Sequence, residues 1–163
     1  MVTFRNVVGF LETIADKHKM INSFHSGELD EVDINKLGAT DYVILYAEPG
    51  SATIASGVMT YSFTLYVLDM INDEVGGAPN KQRKGRLDTY SENLQILHDV
   101  INKFKHALYS TSWVDDEVVL ELPITAESFT ARFDNILTGW SADISVDVNN
   151  PNNLCIAPIQ PNS

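Results

Sequence analysis

The sequence predicts an α+β fold in which two main helices pack on one face of an antiparallel sheet of four to five strands, followed by an extended C-terminal arm. Two observations support this fold: two segments with helical spacing of apolar residues, and several segments that alternate with a period of two. The chain has 163 residues, 44% of them apolar or aromatic, which is enough for one sizeable core. We therefore predict one domain over residues 1–148 and an arm over residues 149–163.

The first element is an amphipathic helix within residues 3–21. Its apolar residues follow the three-and-four spacing of one helical face: Phe4, Val7, Val8, Leu11, Ile14 and Ala15. Residues 22–33 are polar and acidic, and we interpret them as a connecting loop.

Two strands are expected next. Residues 42–47 (YVILYA) form a short aromatic and β-branched run, typical of a central strand, and Glu48-Pro49-Gly50 behind it indicates a turn. Residues 59–67 alternate between apolar and mostly polar side chains, which predicts a half-buried strand. The small residues 51–57 between these strands favour a hairpin-like link.

Residues 72–87 form a long loop that is rich in glycine and positive charge. A loop of this length in a compact domain is usually functional. We predict that its basic side chains contact another subunit or a partner: Lys81, Arg83, Lys84 and Arg86.

A second helix follows this loop. Thr89 and Glu92 have the spacing of a capping box, and Asp88 suits the positive end of a helix. Apolar residues then repeat every three or four positions, which predicts the buried face: Tyr90, Leu94, Leu97, Ile101, Phe104 and Leu108.

In the last part of the domain, alternating side chains predict three strands. Residues 118–124 alternate and contain Pro123, which suits an edge strand. Residues 129–134 and 140–148 also alternate, and we expect a hairpin that turns near Leu137-Thr138-Gly139. The C-terminal segment has three prolines and no charge, so it is expected to be extended, with Leu154, Ile156 and Ile159 as contacts to another subunit.

The charge distribution restricts the possible partners. A formal charge of -11 disfavours binding of nucleic acid or anionic membranes over the whole surface. The basic loop holds four of the eleven Lys and Arg residues, so its expected neighbour is another copy, a different acidic protein, or passing nucleic acid. A loop that is merely solvated is the alternative. With one cysteine, no export signal and no apolar run near about 18 residues, a reducing compartment is the simplest interpretation.

The sequence shows no pattern that specifies a reaction. The four histidines lack metal-ligand spacing, and Gly76-Gly77 with Lys81 and Lys84 does not form a phosphate loop. A nuclease-like trio of Asp69, Glu117 and Glu121 is conceivable but lacks a supporting lysine. We therefore predict no catalytic residue, no bound cofactor and no metal site.

Several segments together resemble small ring proteins from the neck of tailed bacteriophages, of the tail-terminator or head–tail connector type. They are VTFRNVVGFLETIADKH, DYVILYAEP, MTYSFTLYVLDMIND, DTYSENLQILHDVINKF and FDNILTGWSADISVDV. The resemblance extends over residues 2 to about 150 in order and character. It implies a non-enzymatic virion protein, made in the host cytoplasm, that forms a hexameric or dodecameric ring between the portal side and the tail.

The same resemblance implies that DNA passes through the lumen without sequence-specific binding and that no membrane is involved. The basic loop would then contact an adjacent ring or subunit, and the arm would be exchanged between subunits. Two alternatives remain: a small cytoplasmic α+β adaptor, and a ligand-binding or enzyme subunit with a pocket near Trp113 and Trp140.

Overall fold

The computed structural model describes residues 2–27, 43–70, 86–110, 118–132 and 137–150. Over these ranges the chain forms two helices and a mostly antiparallel, mixed sheet of six strands, which is an α+β fold. The elements in chain order are α1 (Phe4–Lys17), β1 (Ser23–Ser26), β2 (Ile44–Ala55), β3 (Val58–Met70), α2 (Arg86–Ser110), β4 (Val119–Leu120), β5 (Ala126–Arg132) and β6 (Leu137–Asn149).

Helix α1 begins at a complete capping box. The Thr3 hydroxyl accepts the backbone N–H of Asn6 at 3.3 Å, and the Asn6 side chain accepts the backbone N–H of Thr3 at 2.9 Å. Two N–H groups that the first turn would otherwise leave unsatisfied are thus paired. The helix buries Val7, Leu11, Ile14 and Ala15, so the amphipathic helix expected within residues 3–21 is present over Phe4–Lys17.

The sheet has the strand order β1-β2-β3-β6-β4, and β5 pairs with the same edge of β6 as β4 does. Its centre is the long antiparallel pair β3 and β6, in register from Val58 opposite Asn149 to Met70 opposite Leu137. Strands β2 and β3 form a hairpin around Ser56 and Gly57. Gly57 has φ of +82°, a conformation that favours glycine in a two-residue turn.

One core cluster joins the helices to one face of the sheet, which we call the inner face. Both helices contribute to this cluster, α1 with Leu11 and α2 with Phe104, for example. The sheet contributes alternate residues of β3 and β6: Tyr61, Phe63, Leu65, Val67, Ala142, Ile144, Val146 and Val148. We call the opposite surface of the sheet the outer face.

The sheet differs from the prediction in two respects. It has six strands rather than four to five, and β1 pairs in parallel with β2. The segment Ser23–Ser26 belongs to the polar, acidic stretch that the sequence predicts to be a loop, but its pairing with Ile44–Ala47 satisfies its backbone groups. Strand β2 also continues past Glu48-Pro49-Gly50, through an irregular register between Pro49 and Ala52, instead of ending in a turn there.

Helix α2 begins earlier than predicted, and its buried face is shifted from the predicted one. Leu97, Phe104 and Leu108 are buried as predicted, whereas Leu94 is not. The helix starts at Arg86, so Thr89 lies inside it and is not its N-cap. Leu94 is 38% exposed, whereas Asn93 is 1% exposed. The buried side is formed by Asn93, Ile96, Leu97, Val100, Phe104, Ala107 and Leu108. Tyr90 and Ile101 lie at the margin of this face.

The C-terminal strands also correct two details. The alternation expected over residues 118–124 ends at Leu120, because Leu122 is exposed and only Val119–Leu120 pair as β4. The hairpin of β5 and β6 is present, but Leu137, Thr138 and Gly139 belong to β6 and not to its turn.

Some predicted features fall outside the described residues. They include most of the basic loop, and residues 151–163 of the arm. Asn149, predicted to begin the arm, is the last residue of β6, and the backbone N–H of Asn150 donates to the Gly57 carbonyl at 2.9 Å. None of the helices in the described ranges is both long and apolar enough to cross a membrane.

Candidate functional site

The outer face of the sheet carries a ladder of polar side chains along β3 and β6. Strand alternation places every second residue on this face, and the register sets hydroxyls opposite carboxylates. The Thr60 hydroxyl donates to Asp147 and the Thr64 hydroxyl donates to Asp143, each at 2.6 Å. These hydrogen bonds hold the two carboxylates in defined positions on the surface.

Further carboxylates flank this ladder on both sides. Glu48 of β2 accepts a hydrogen bond from the Tyr66 hydroxyl at 3.0 Å, and Glu127 of β5 lies opposite Ser141 of β6. We use the name acidic face for the outer-face surface that carries Glu48, Glu127, Asp143 and Asp147.

Positive charge lies on the other layer of the domain. Every Lys or Arg side chain that the structure describes belongs to a helix or to the residues just beside one: Arg5, Lys17, Lys19, Lys103 and Lys105. The described part of the domain is therefore electrostatically polarised across its two layers. Its outer face repels anions at close range, and its helix layer carries charges of both signs.

The acidic face includes a shallow polar hollow of about 260 Å³, lined by Pro123, Thr125, Glu127, Ser141 and Asp143. Two carboxylates in such a hollow suggest cation binding. However, the described residues contain no group of three His, Cys, Asp or Glu side chains that is arranged to hold a metal ion. The hollow therefore contributes negative charge to the surface, and we assign no metal centre to it.

The outer face also has a small apolar cluster at the end opposite the β2–β3 turn. Its buried members are Ile44, Tyr46, Tyr66 and Leu68, with Phe129 packed against them. The Phe129 and Tyr66 rings meet edge to face at a centroid distance of 6.0 Å. This cluster stabilises the sheet where β5 pairs with β6.

The hairpin tip, which we define as Ala52–Thr60, exposes apolar side chains. Ile54 is 74% exposed and Val58 is 40% exposed. No residue from Pro49 to Leu68 is charged. The tip is thus a neutral, partly apolar projection beside the acidic face, a combination typical of protein contact surfaces.

A groove of about 350 Å³ separates α1 from α2. Its apolar lining includes Phe10, Ile14 and Ala107, and Lys17 and Lys103 are charged residues of its wall. Phe10 and Phe104 pack with their ring centroids 5.8 Å apart. A groove of this size and character can accept a small apolar group.

His18 and Asp99 face each other in this groove at an Nε2–Oδ2 distance of 3.6 Å. Desolvation alone would raise the pKa of Asp99, but hydrogen bonds from Gln95, His18 and His98 outweigh it and lower that pKa. His18 Nδ1 accepts the Met20 backbone N–H at 3.2 Å. Both imidazole nitrogens thus have neighbours within the chain, and the pair serves to join α1 to α2.

The sequence-predicted contact residues lie outside the described part of the chain, apart from the backbone of Arg86. Lys81, Arg83 and Lys84 lie outside the described residues, and so do Leu154, Ile156 and Ile159. Arg86 is the first residue of α2, and its side chain is not among those described. The predictions for these residues therefore stay predictions.

Of the nuclease-like trio considered from the sequence, the two members that the structure describes lie far apart. Asp69 of β3 lies opposite Thr138 of β6, whereas the backbone N–H of Glu121 donates to the carbonyl of Ser145. These positions on β6 are about 23 Å apart at the rise of a strand. Glu117 and Trp113 lie outside the described residues. The Trp140 indole donates to the Tyr90 carbonyl at 2.8 Å, a bond that anchors α2 to the sheet.

Sequence reasoning missed the acidic face as a unit. The polar positions of the two alternating strands were visible, but the register that pairs Thr60 with Asp147 and Thr64 with Asp143 was not. No protein-family model matches this chain, and no curated protein matches it. A function can therefore be proposed only from the surfaces described above.

Proposed function

We propose that this chain is a non-enzymatic structural protein of a tailed bacteriophage that forms a ring in the neck or at the tail-terminating position. The ring joins the portal side of the head to the tail, and DNA passes through its lumen. One observation carries this proposal: the carboxylates of the acidic face and the lysines and arginines of the helix layer lie on opposite sides of the described domain.

A channel for DNA must not bind the DNA that moves through it. Duplex DNA carries one negative charge per about 1.7 Å of its axis, so a wall of lysines would hold it by releasing counterions. A wall of carboxylates repels it instead. If the acidic face lines the lumen, Asp143 and Asp147, both held by threonine hydroxyls, present fixed negative charge toward the DNA.

Ring closure needs two different complementary surfaces on each subunit, because a head-to-tail contact is heterologous. The neutral hairpin tip and the basic segment with Lys81, Arg83, Lys84 and Arg86 are candidates for such contacts. In this proposal the basic segment meets an adjacent ring or subunit, and the ring has six or twelve copies. The protein acts in the virion after synthesis in the host cytoplasm, without cofactor or membrane.

The proposal is tested by reversing charge on the acidic face and measuring which form of DNA is retained. The variant Glu127→Lys/Asp143→Lys changes two exposed carboxylates of that face. The control Glu12→Lys/Asp16→Lys changes two exposed carboxylates of α1 and has the same net charge. Each protein is mixed with linear duplex DNA or with closed circular DNA of the same sequence, and retention is measured by gel shift.

A closed ring can be threaded only by DNA that has ends. We expect the acidic-face variant to retain linear DNA and not closed circular DNA, with retention falling steeply as salt rises. The wild type should retain neither form, and the helix-layer control should show no preference for linear DNA. Equal retention of both forms by the acidic-face variant, or of neither, would contradict the proposal.

The second candidate is a small cytoplasmic adaptor or a ligand-binding or enzyme subunit, which the groove between α1 and α2 favours. Its apolar lining with His18 and Asp99 could hold a small ligand. A thermal-shift screen on the wild type and on Ala107→Trp, which fills the groove, tests this candidate. A ligand that raises the melting temperature of the wild type alone would support it.

A further inference from the structure

Strand β2 has an open edge near the hairpin tip. Strand β1 pairs with β2 only from Ile44 to Ala47, whereas β2 continues to Ala55. In the described part of the structure no strand pairs with the outer edge of Gly50–Ala55, and these six residues are exposed. Alternate residues of such an edge direct their N–H and C=O groups outward, ready to pair with another chain.

This open edge, Gly50–Ala55, has little protection against pairing. Proteins usually block exposed edges with charged side chains, proline or a bulge. Here Pro49 and the irregular register before Ala52 protect only the beginning of the segment. Ala52–Ala55 pair regularly with β3 on their other side, and no charged residue lies between Pro49 and Leu68.

The C-terminal segment, residues 151–163, has the properties of a strand that could fill this edge. It follows Asn150, whose N–H donates to the Gly57 carbonyl at 2.9 Å, so it begins at the hairpin tip. It contains no Asp, Glu, Lys or Arg, and four consecutive residues in it lack proline, namely Leu154-Cys155-Ile156-Ala157. Pro151 and Pro158 limit the stretch without proline to six residues, which is long enough to pair with the four of Ala52–Ala55.

We propose that Leu154–Ala157 of one copy add as a strand to the open edge of β2 in a second copy. This inference rests on the proposed ring, because it supplies the two different surfaces that a heterologous contact needs. Backbone hydrogen bonds provide the affinity, and Leu154 and Ile156 pack on one side of the added strand.

Cys155 allows a direct test because it is the only cysteine of the chain. A second cysteine is introduced on the open edge by Thr53→Cys or by Ile54→Cys, two neighbours whose side chains point to opposite faces. The control is Ser128→Cys, an exposed residue of β5 at the opposite edge of the sheet. The assembled protein is treated with a mild oxidant, and disulfide products are separated on a denaturing gel without reductant.

We expect at least one edge variant to give a ladder of dimers, trimers and larger products, because each copy offers one segment and one edge. The ladder should disappear when Cys155→Ser is added and should be absent in the Ser128→Cys control. A disulfide within single chains would show that the segment pairs with its own edge and would overturn the inference. A product that stops at dimers would show reciprocal exchange between two copies, which overturns the head-to-tail contact on which the inference rests.

A light-scattering mass of the same samples separates this inference from the proposed function. No disulfide in a protein that still has the mass of a ring would refute strand addition and leave the ring proposal standing. No disulfide in a protein that stays monomeric at every concentration, with candidate partners present, would refute both.

Discussion

Replacing Gly139 by alanine is predicted to destabilise the domain by at least about 3 kcal/mol. Gly139 lies in β6, where its backbone approaches β3 closely. A Cβ atom at this position would lie 1.8 Å from the Val67 carbonyl oxygen and 2.9 Å from the Val67 carbonyl carbon. The Phe129 ring, 3.3 Å from the same point, covers the glycine from the neighbouring strand.

The size of this destabilisation follows from the displacement of β3 and β6 that the added methyl group would require. The clash is with backbone in the middle of the sheet, so no side chain can rotate to relieve it. Separating the strands by more than about 1 Å would weaken several ladder hydrogen bonds, each with a net contribution of about 1 kcal/mol. The local overpacking adds about 1–3 kcal/mol.

The assay is urea unfolding followed by tryptophan fluorescence, for which Trp140 is an adjacent probe. All proteins are compared at one concentration, because assembly makes stability concentration dependent. The control is Gly9→Ala in α1, where an added Cβ meets nothing within 4 Å. That variant should gain about 0.5–1 kcal/mol from the higher helix propensity of alanine. A Gly139→Ala protein within about 1 kcal/mol of the wild type would refute the close approach of β3 and β6.

Three further predictions concern other parts of the chain. Asn93→Leu should stabilise the domain by about 1–3 kcal/mol in urea unfolding, because both polar atoms of the buried Asn93 side chain lack a hydrogen-bond partner among the described residues; a loss of stability would contradict this. Asp99→Asn should lower stability near pH 7 by no more than about 1 kcal/mol, since the site is half exposed. Because the folded-state pKa of Asp99 is lowered, its contribution is present above the ordinary aspartate pKa of 3.8 and is lost as pH falls below it. The difference in melting temperature between Asp99→Asn and the wild type should therefore vanish in strong acid, and a constant difference would contradict this. Replacing the four basic loop residues by serine should weaken assembly relative to the wild type, as measured by sedimentation, and the loss should be larger at low salt than at high salt. If the variant assembles as well as the wild type at both salt concentrations, the loop makes no such contact and is simply solvated. The four basic loop residues are Lys81, Arg83, Lys84 and Arg86.

The sequence patterns predicted the helices and long strands because each buries one face against a single core. The period of two in β3 and β6 identified the residues that pack against α1 and α2, such as Phe63 and Ile144. Helix α2 was harder, because its buried face includes Asn93 and excludes Leu94. The apolar residues Ile96 and Val100 mark the observed face, but the predicted spacing ran through Leu94 instead.

Strand β1 and the acidic face depend on contacts between distant segments. Ser23–Ser26 pairs with β2 although its residues have no strand-like pattern. The carboxylates of the acidic face meet threonine hydroxyls 79 and 87 residues away in sequence. Register of this kind is set by the whole sheet, so it could not be derived from one segment at a time.

The two proposals assign different tasks to different parts of the domain. In the proposed ring the acidic face would form the wall past which DNA moves, and the open edge of β2 would receive the C-terminal segment of a neighbouring copy. The helix layer, with its groove and its lysines, remains available for contacts with an adjacent ring. Each task is tested by variants that leave the other surfaces unchanged.

The most direct test of the proposed ring is the mass of the wild-type protein in solution, measured by light scattering over a concentration series, with the same samples imaged by negative stain. A ring of six copies of the 18.1 kDa chain has a mass of about 109 kDa and a ring of twelve about 217 kDa. We expect one of these masses at high concentration, or one of them increased by the mass of the bound partner when a neck partner is added, together with particles that have a central hole. A protein that stays monomeric or dimeric at every concentration, with candidate partners present, would contradict the ring.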